Sequence, residues 1–115
     1  MNSAGREGEE KAAAVLEKSG MSIIARNVRF KTGEIDLVAL DRDMMVFVEV
    51  KSWTVYGFED LRFALDKKKR RRIIETAKFF LAAHREYNCM AIRFDVVFIG
   101  PETVTHLISA FMEQE

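Results

Sequence analysis

The sequence predicts an α/β domain, a mixed sheet flanked by helices in the order α-β-β-β-α-β-β. Apolar residues recur at helical spacing in two segments, one near the N-terminus and one in the middle of the chain. Between them, three runs of strand-forming residues are separated only by short turns, as in an antiparallel meander. After the second helical segment, "IRFDVVFI" alternates with period two, so that helix is a crossover that lets this strand lie parallel to the meander.

The first helix is predicted from about Ser3 to Lys18, with Ala12, Val15 and Leu16 on one face and Gly20 as its stop. Ile23 to Phe30 reads as a strand, "KTGE" as a glycine turn, and Glu34 to Leu40 as the second strand. "DRD" turns the chain into the third strand, Met44 to Lys51. "SWTVYGFED" reads as a loop carrying Trp53, Tyr56 and Phe58. The second helix is predicted from Lys67 to Tyr87, capped by Asp66, with Ile73, Ile74, Ala77, Leu81 and His84 on its apolar stripe and Phe79 and Phe80 as core candidates. Ile92 to Ile99 and Val104 to Ile108 are the last strands, and the tail "SAFMEQE" reads as helical.

The 115 residues bound a single domain, 1–115, long enough to bury a core without staples. Cys89, the sole cysteine, can form no internal disulfide, which suits a reducing compartment. "MNSAGREGEEK" is polar and acidic with no apolar stretch after it, and no apolar run approaches a membrane span, so the expectation is a cytoplasmic protein with no membrane partner. Formal net charge is zero, from 18 basic and 18 acidic residues. The charges are segregated, however: "KKKRRR", Lys67 to Arg72, is an unbroken cationic run, and acids gather at Glu7, Glu9 and Glu10.

The strands raise a chemical question. Residues i and i+2 share a strand face, so Glu49 and Lys51 lie on one face with Met45 and Phe47, while Asp36 shares its face with Glu34, Val38 and Leu40. The short turn between these strands allows Asp36 to lie beside Glu49. On the first helix, positions 9, 12, 13 and 16 form one stripe, so Glu9 points toward the sheet. Two readings compete. One is a structural ion pair of Lys51 with Glu49, although buried pairs seldom improve on apolar residues. The other is a Mg²⁺ or Mn²⁺ site: hard cations take carboxylate oxygens, here from Glu9, Asp36 and Glu49, with the Val50 backbone carbonyl as a further ligand. Lys51 would then act on an attacking water or on phosphoryl oxygens.

The motifs "GREGEEKAA", "RNVRFKTGEIDLVA", "VFVEVK", "ALDKKKRRRIIETAKFFL", "RFDVVFI" and "THLISAF" resemble the PD-(D/E)XK nuclease superfamily with its restriction endonuclease-like core. More narrowly, they resemble the YraN family of uncharacterised bacterial proteins, related to archaeal Holliday junction resolvases. The resemblance spans about Gly5 to Phe111 and falls on Glu9, Asp36, Glu49, Lys51 and Lys69. It implies acids that hold metal and a lysine at the scissile phosphate. The family commonly places Arg two residues after the motif lysine; Trp53 stands there in this chain, where it could stack on a base.

Cations in the first turn of a helix oppose its dipole, and that cost points to a polyanionic partner. Lys67, Lys68, Lys69 and Arg72, with Trp53, are the expected nucleic-acid contacts. The expected activity is that of a Mg²⁺- or Mn²⁺-dependent endonuclease on DNA, branched or otherwise structured, acting as a dimer if both strands are cut. The alternative is a catalytically silent module that keeps the fold and binds nucleic acid or a partner. His84 and His106 lack zinc-ligand spacing, and Arg93 and Asp95 share a strand face as a structural pair.

Overall fold

The computed structural model describes residues 5–52 and 65–112. In chain order the elements are α1 (Gly5–Lys18), β1 (Ser22–Phe30), β2 (Gly33–Asp41), β3 (Met44–Ser52), α2 (Lys67–Ala83), a 3₁₀ turn (Arg85–Tyr87), β4 (Ala91–Ile99) and β5 (Val104–Phe111). The five strands form one sheet in sequence order, β1-β2-β3-β4-β5. Neighbours are antiparallel except β3 and β4, which run parallel through nine paired positions from Met44↔Ala91 to Ser52↔Ile99. The α/β class, the meander and the parallel fourth strand are therefore as the sequence predicts.

Among the described residues, each face of the sheet carries one helix. Ala12, Ala13 and Leu16 of α1 pack on Leu37, Ala39, Val46, Val48, Val50 and Val97. Ile73, Ile74, Ala77 and Phe80 of α2 pack on Val38, Met45, Phe47, Phe94, Val96 and Phe98. A strand covered on both faces needs apolar side chains in both directions, which is why β3 and β4 read as nearly continuous hydrophobic runs. Asp66 caps α2, its Oδ1 accepting the Lys69 N–H at 2.9 Å. Gly20, at φ +103°, takes the left-handed turn that ends α1, a conformation that penalises any residue with a Cβ.

Three local predictions fail for identifiable reasons. The second helix stops at Ala83: His84 leaves helical geometry, and its N–H is shared between the Phe80 and Leu81 carbonyls. The apolar stripe ends there, and the chain must turn back toward β4. Phe79 is no core residue; it is 49% exposed, whereas Phe80 is buried. The tail residues Ser109 to Phe111 continue β5 rather than forming a helix. Ser109 adopts φ +54° and the β4–β5 register shifts between Phe94 and Val96, a bulge that brings Phe111 into the core against Phe94, ring centroids 5.0 Å apart. The contact that Phe111 gains outweighs any helical preference of the tail. Trp53, Tyr56 and Phe58 lie outside the described residues. No helix among the described residues is long and apolar enough to cross a membrane.

Candidate functional site

The antiparallel ladder between β2 and β3 runs from Asp41↔Met44 to Leu37↔Val48 and stops there. In place of the next backbone bond, Asp36 Oδ2 accepts the Val50 N–H at 2.7 Å. Asp36 is 2% exposed. Freed from β3, the strand twists at this point: Ile35 joins the α2-side cluster although Leu37, two residues on, belongs to the α1 side. Asp36 stays on the α2 side with Val38 and Leu40, as strict alternation predicts, lining a space with Ile73; Ile35 is the residue that departs from it.

Glu49 and Lys51 follow on β3, both half-buried, with Lys51 Nζ 3.7 Å from Glu49 Oε2. Burial pushes the Glu49 carboxyl up to about 8; the charge of Asp36, a side-chain hydrogen bond with Asp36 and the charge of Glu34 push the same way, against the ammonium of Lys51. Glu49 and Asp36 are thus two acids pressed together, and Glu49 holds its proton more tightly than an ordinary carboxyl. Together with Lys51 they line a cleft of about 570 Å³ between the β1–β2 hairpin and α2. The hairpin wall contributes Arg29, Phe30 and Glu34; the helix wall contributes Lys69, Arg72 and Ile73.

Glu9 sits on α1, on the other side of the sheet, and is buried. It lines a neighbouring cleft of about 520 Å³ with Arg26 and Asn27, and Arg29 and Glu34 line both clefts. Burial raises its carboxyl first, the field of Asp36 second, while a hydrogen bond with Asn27 lowers it. Asp36, Glu49 and Lys51 are therefore brought into one cleft, and Glu9 is felt by Asp36 from behind it. Among the described residues, no three carboxylate, imidazole or thiol groups come together as a ready-made metal cage. The donor chemistry of Asp36 and Glu49 nonetheless fits a hard divalent cation: two carboxylates crowded together gain from a cation placed between them. Lys69 and Arg72 reach the cleft from α2, whereas the exposed Lys67 and Lys68 are not among its lining residues.

Residues 8–99 match the family described as "Uncharacterised protein family UPF0102". The chain belongs to this family. A UPF0102 protein of Treponema pallidum is 45% identical over 111 residues, which cover 90% of this chain and 88% of the relative. Its counterpart in Treponema denticola is 41% identical over 125 residues, 96% of each chain. That of Persephonella marina is 40% identical over 107 residues, 93% of this chain and 91% of the relative.

In this UPF0102 protein, two residues that the strand pattern did not single out complete the cleft. Arg29 and Glu34 are register partners across β1 and β2 and pair at 3.5 Å. The signal was available: Glu34 precedes Asp36 by two positions, and Arg29 faces it across a short turn. A second buried charge lies on β4. Arg93 grips Asp95 with two bonds of 2.9 Å and also donates to Asp41 Oδ2 at 3.0 Å. His106 Nε2 lies 2.7 Å from Asp95 Oδ2, and the Ser109 N–H donates to Oδ1 at 3.0 Å. Burial raises the Asp95 carboxyl, but His106, Arg93 and Ser109 together hold it below the ordinary carboxylate range. The predicted Arg93–Asp95 pair is present, and His106, expected only as a strand-face residue, is part of it.

Proposed function

We propose that this UPF0102 protein is a Mg²⁺- or Mn²⁺-dependent phosphodiesterase that cuts DNA, acting in the cleft of Asp36, Glu49 and Lys51. The observation that carries this reading is the pairing of two crowded carboxylates with an ammonium on rigid strands, under a helix that turns Lys69 and Arg72 toward them. Asp36 and Glu49 would hold the cation, with Glu9 acting through its field on Asp36. Bound there, Mg²⁺ supplies Lewis-acid polarisation of the phosphoryl group.

The chain's own residues do the rest. Lys69, Arg72 and Arg29 grip backbone phosphates on either side of the acids and offset the repulsion between carboxylates and substrate. Lys51 orients the attacking water and steadies charge on the phosphoryl oxygens. Water forms the new P–O bond, the P–O bond to the leaving sugar oxygen breaks, and the proton lost by water balances that leaving oxygen. Net neutrality implies modest affinity that falls with salt. Cutting both strands would take two copies.

The test uses linear, nicked, flapped and four-way DNA with Mg²⁺ or Mn²⁺, and Lys51→Ala as control. Cleavage that Lys51→Ala abolishes is expected. A melting temperature raised by Ca²⁺ in the wild type and unmoved in Glu49→Gln is the matching readout without turnover. DNA binding without cleavage in either metal would replace the enzyme with the silent binding module.

A further inference from the structure

We propose that Phe30 and Phe79 form a stacking platform for an unpaired nucleobase, so that the cleft prefers nucleic acid with single-stranded character. This rests on the reading of the cleft as a DNA site and adds what kind of DNA it takes. Phe30 ends β1 and lines the acidic cleft. Its ring stacks on Phe79 of α2, with centroids 5.7 Å apart and planes 21° from parallel. Phe79 is 49% exposed, so much of a large aromatic side chain remains in water beside the cleft wall.

Among the described residues, the core does not take in that ring. The buried stripe of α2 is Ile73, Ile74, Thr76, Ala77 and Phe80, without Phe79. The hairpin is fixed to α2 by other means: the Thr32 and Thr76 hydroxyls are 2.7 Å apart, and a Cβ on Gly33 would already stand 3.4 Å from Thr76 Oγ1. Phe30, the stacking partner of Phe79, shares the cleft lining with Arg29 and Arg72. Arg29 precedes Phe30 in sequence, and Arg72 lies seven residues before Phe79 on the same side of the helix, about 10 Å along its axis. Phosphate-gripping cations alternating with exposed aromatic faces are how proteins hold single strands, because every base offers a π-face. A base inside an intact duplex has both faces covered by its neighbours and cannot use the platform. An unpaired base next to a gripped phosphate can.

The experiment measures binding without catalysis, in Ca²⁺ or without divalent metal. The probes are a single-stranded oligodeoxynucleotide containing 2-aminopurine and a blunt duplex of the same sequence. Wild type is expected to quench the 2-aminopurine and to bind the single strand more tightly than the duplex. Phe79→Leu keeps an apolar contact for Phe30 but has no ring face; it should melt like wild type and bind the single strand roughly 5-fold to 100-fold more weakly. Phe79→Trp should bind like wild type. Unchanged single-strand binding in Phe79→Leu overturns the platform, as does a Trp variant no better than Leu. A loss shared equally by both probes and matched by a lower melting temperature shows a packing contact and also overturns it. If wild type binds duplex but shows no preference for the single strand, the platform falls while the DNA site stands. If neither probe binds, both fall.

Discussion

Asp95 on β4 and Glu49 on β3 are carboxylates on adjacent strands of one sheet, directed to opposite faces. Asp95 is fully buried and has four hydrogen-bond contacts from Arg93, His106 and the Ser109 N–H, which hold it ionised. Among the described residues Glu49 pairs with one cation, Lys51, at 3.7 Å, while Asp36 and Glu34 press on it with like charge. The first carboxylate is satisfied by the protein. The second is held among acids with one ion pair, and a proton or a cation from outside would relieve the crowding. Buried charge alone therefore says little about function; the sign and completeness of its surroundings distinguish a structural clamp from a site that awaits a ligand.

Removing each acid should break the likeness in opposite directions. Asp95→Ala leaves the half-buried Arg93 without its main partner and should cost about 3–5 kcal/mol in urea denaturation. Adding Arg93→Leu should recover part of that loss, since the orphaned cation goes with it. Glu49→Gln should do the reverse. The folded-state value of Glu49 is raised, from 4.5 to about 8, so its contribution is fully present below about pH 4.5 and is lost as pH climbs through about 8. Glutamine mimics the protonated acid and escapes that loss. Its advantage over wild type should be small at pH 5, widen to pH 8 by on the order of a few kcal/mol, and then level off in melting curves taken across pH. A constant difference across that range would mean that Glu49 is not crowded in solution. The smallest effect belongs to Asp66→Ala, an exposed cap removed from a helix whose buried stripe already holds it; a slight fall in melting temperature is expected, with Asp66→Ser retaining most of the wild-type value.

The regular parts of this molecule are legible in its sequence because periodicity maps directly onto burial. β3 and β4 extend from Met44 and Ala91 as their apolar runs suggest, and Ala12 and Leu16 face the sheet as their spacing requires. What the pattern misses are the places where backbone geometry departs from the period. Ile35 and Leu37 should share a face and do not; the pairing of β2 with β3 ends between Asp36 and Leu37, while its pairing with β1 runs on to Gly33. Phe79 and Phe80 look equivalent in a string of letters, yet Phe80 lies on the buried stripe with Ile73, Thr76 and Ala77 while Phe79, one step of about 100° round the helix, falls outside it. The tail looked helical because nothing local announces that Ser109 takes a left-handed conformation to bond Asp95. The pairing of Asp36, Glu49 and Lys51 followed from the short turn between two strands, but the displacement of Glu9 to the next cleft depends on how α1 sits on the far face, which spacing does not encode.

The hydrogen bond from the Val50 N–H to Asp36 joins two roles in one carboxylate. One oxygen ends the seam between β2 and β3, so the group that would meet a ligand is also the stitch that stops the sheet unravelling at that end. Asparagine at this position could keep the stitch through its amide oxygen while giving up the charge; alanine would undo both. Tolerance to substitution at position 36 is thus set by the backbone before chemistry is consulted.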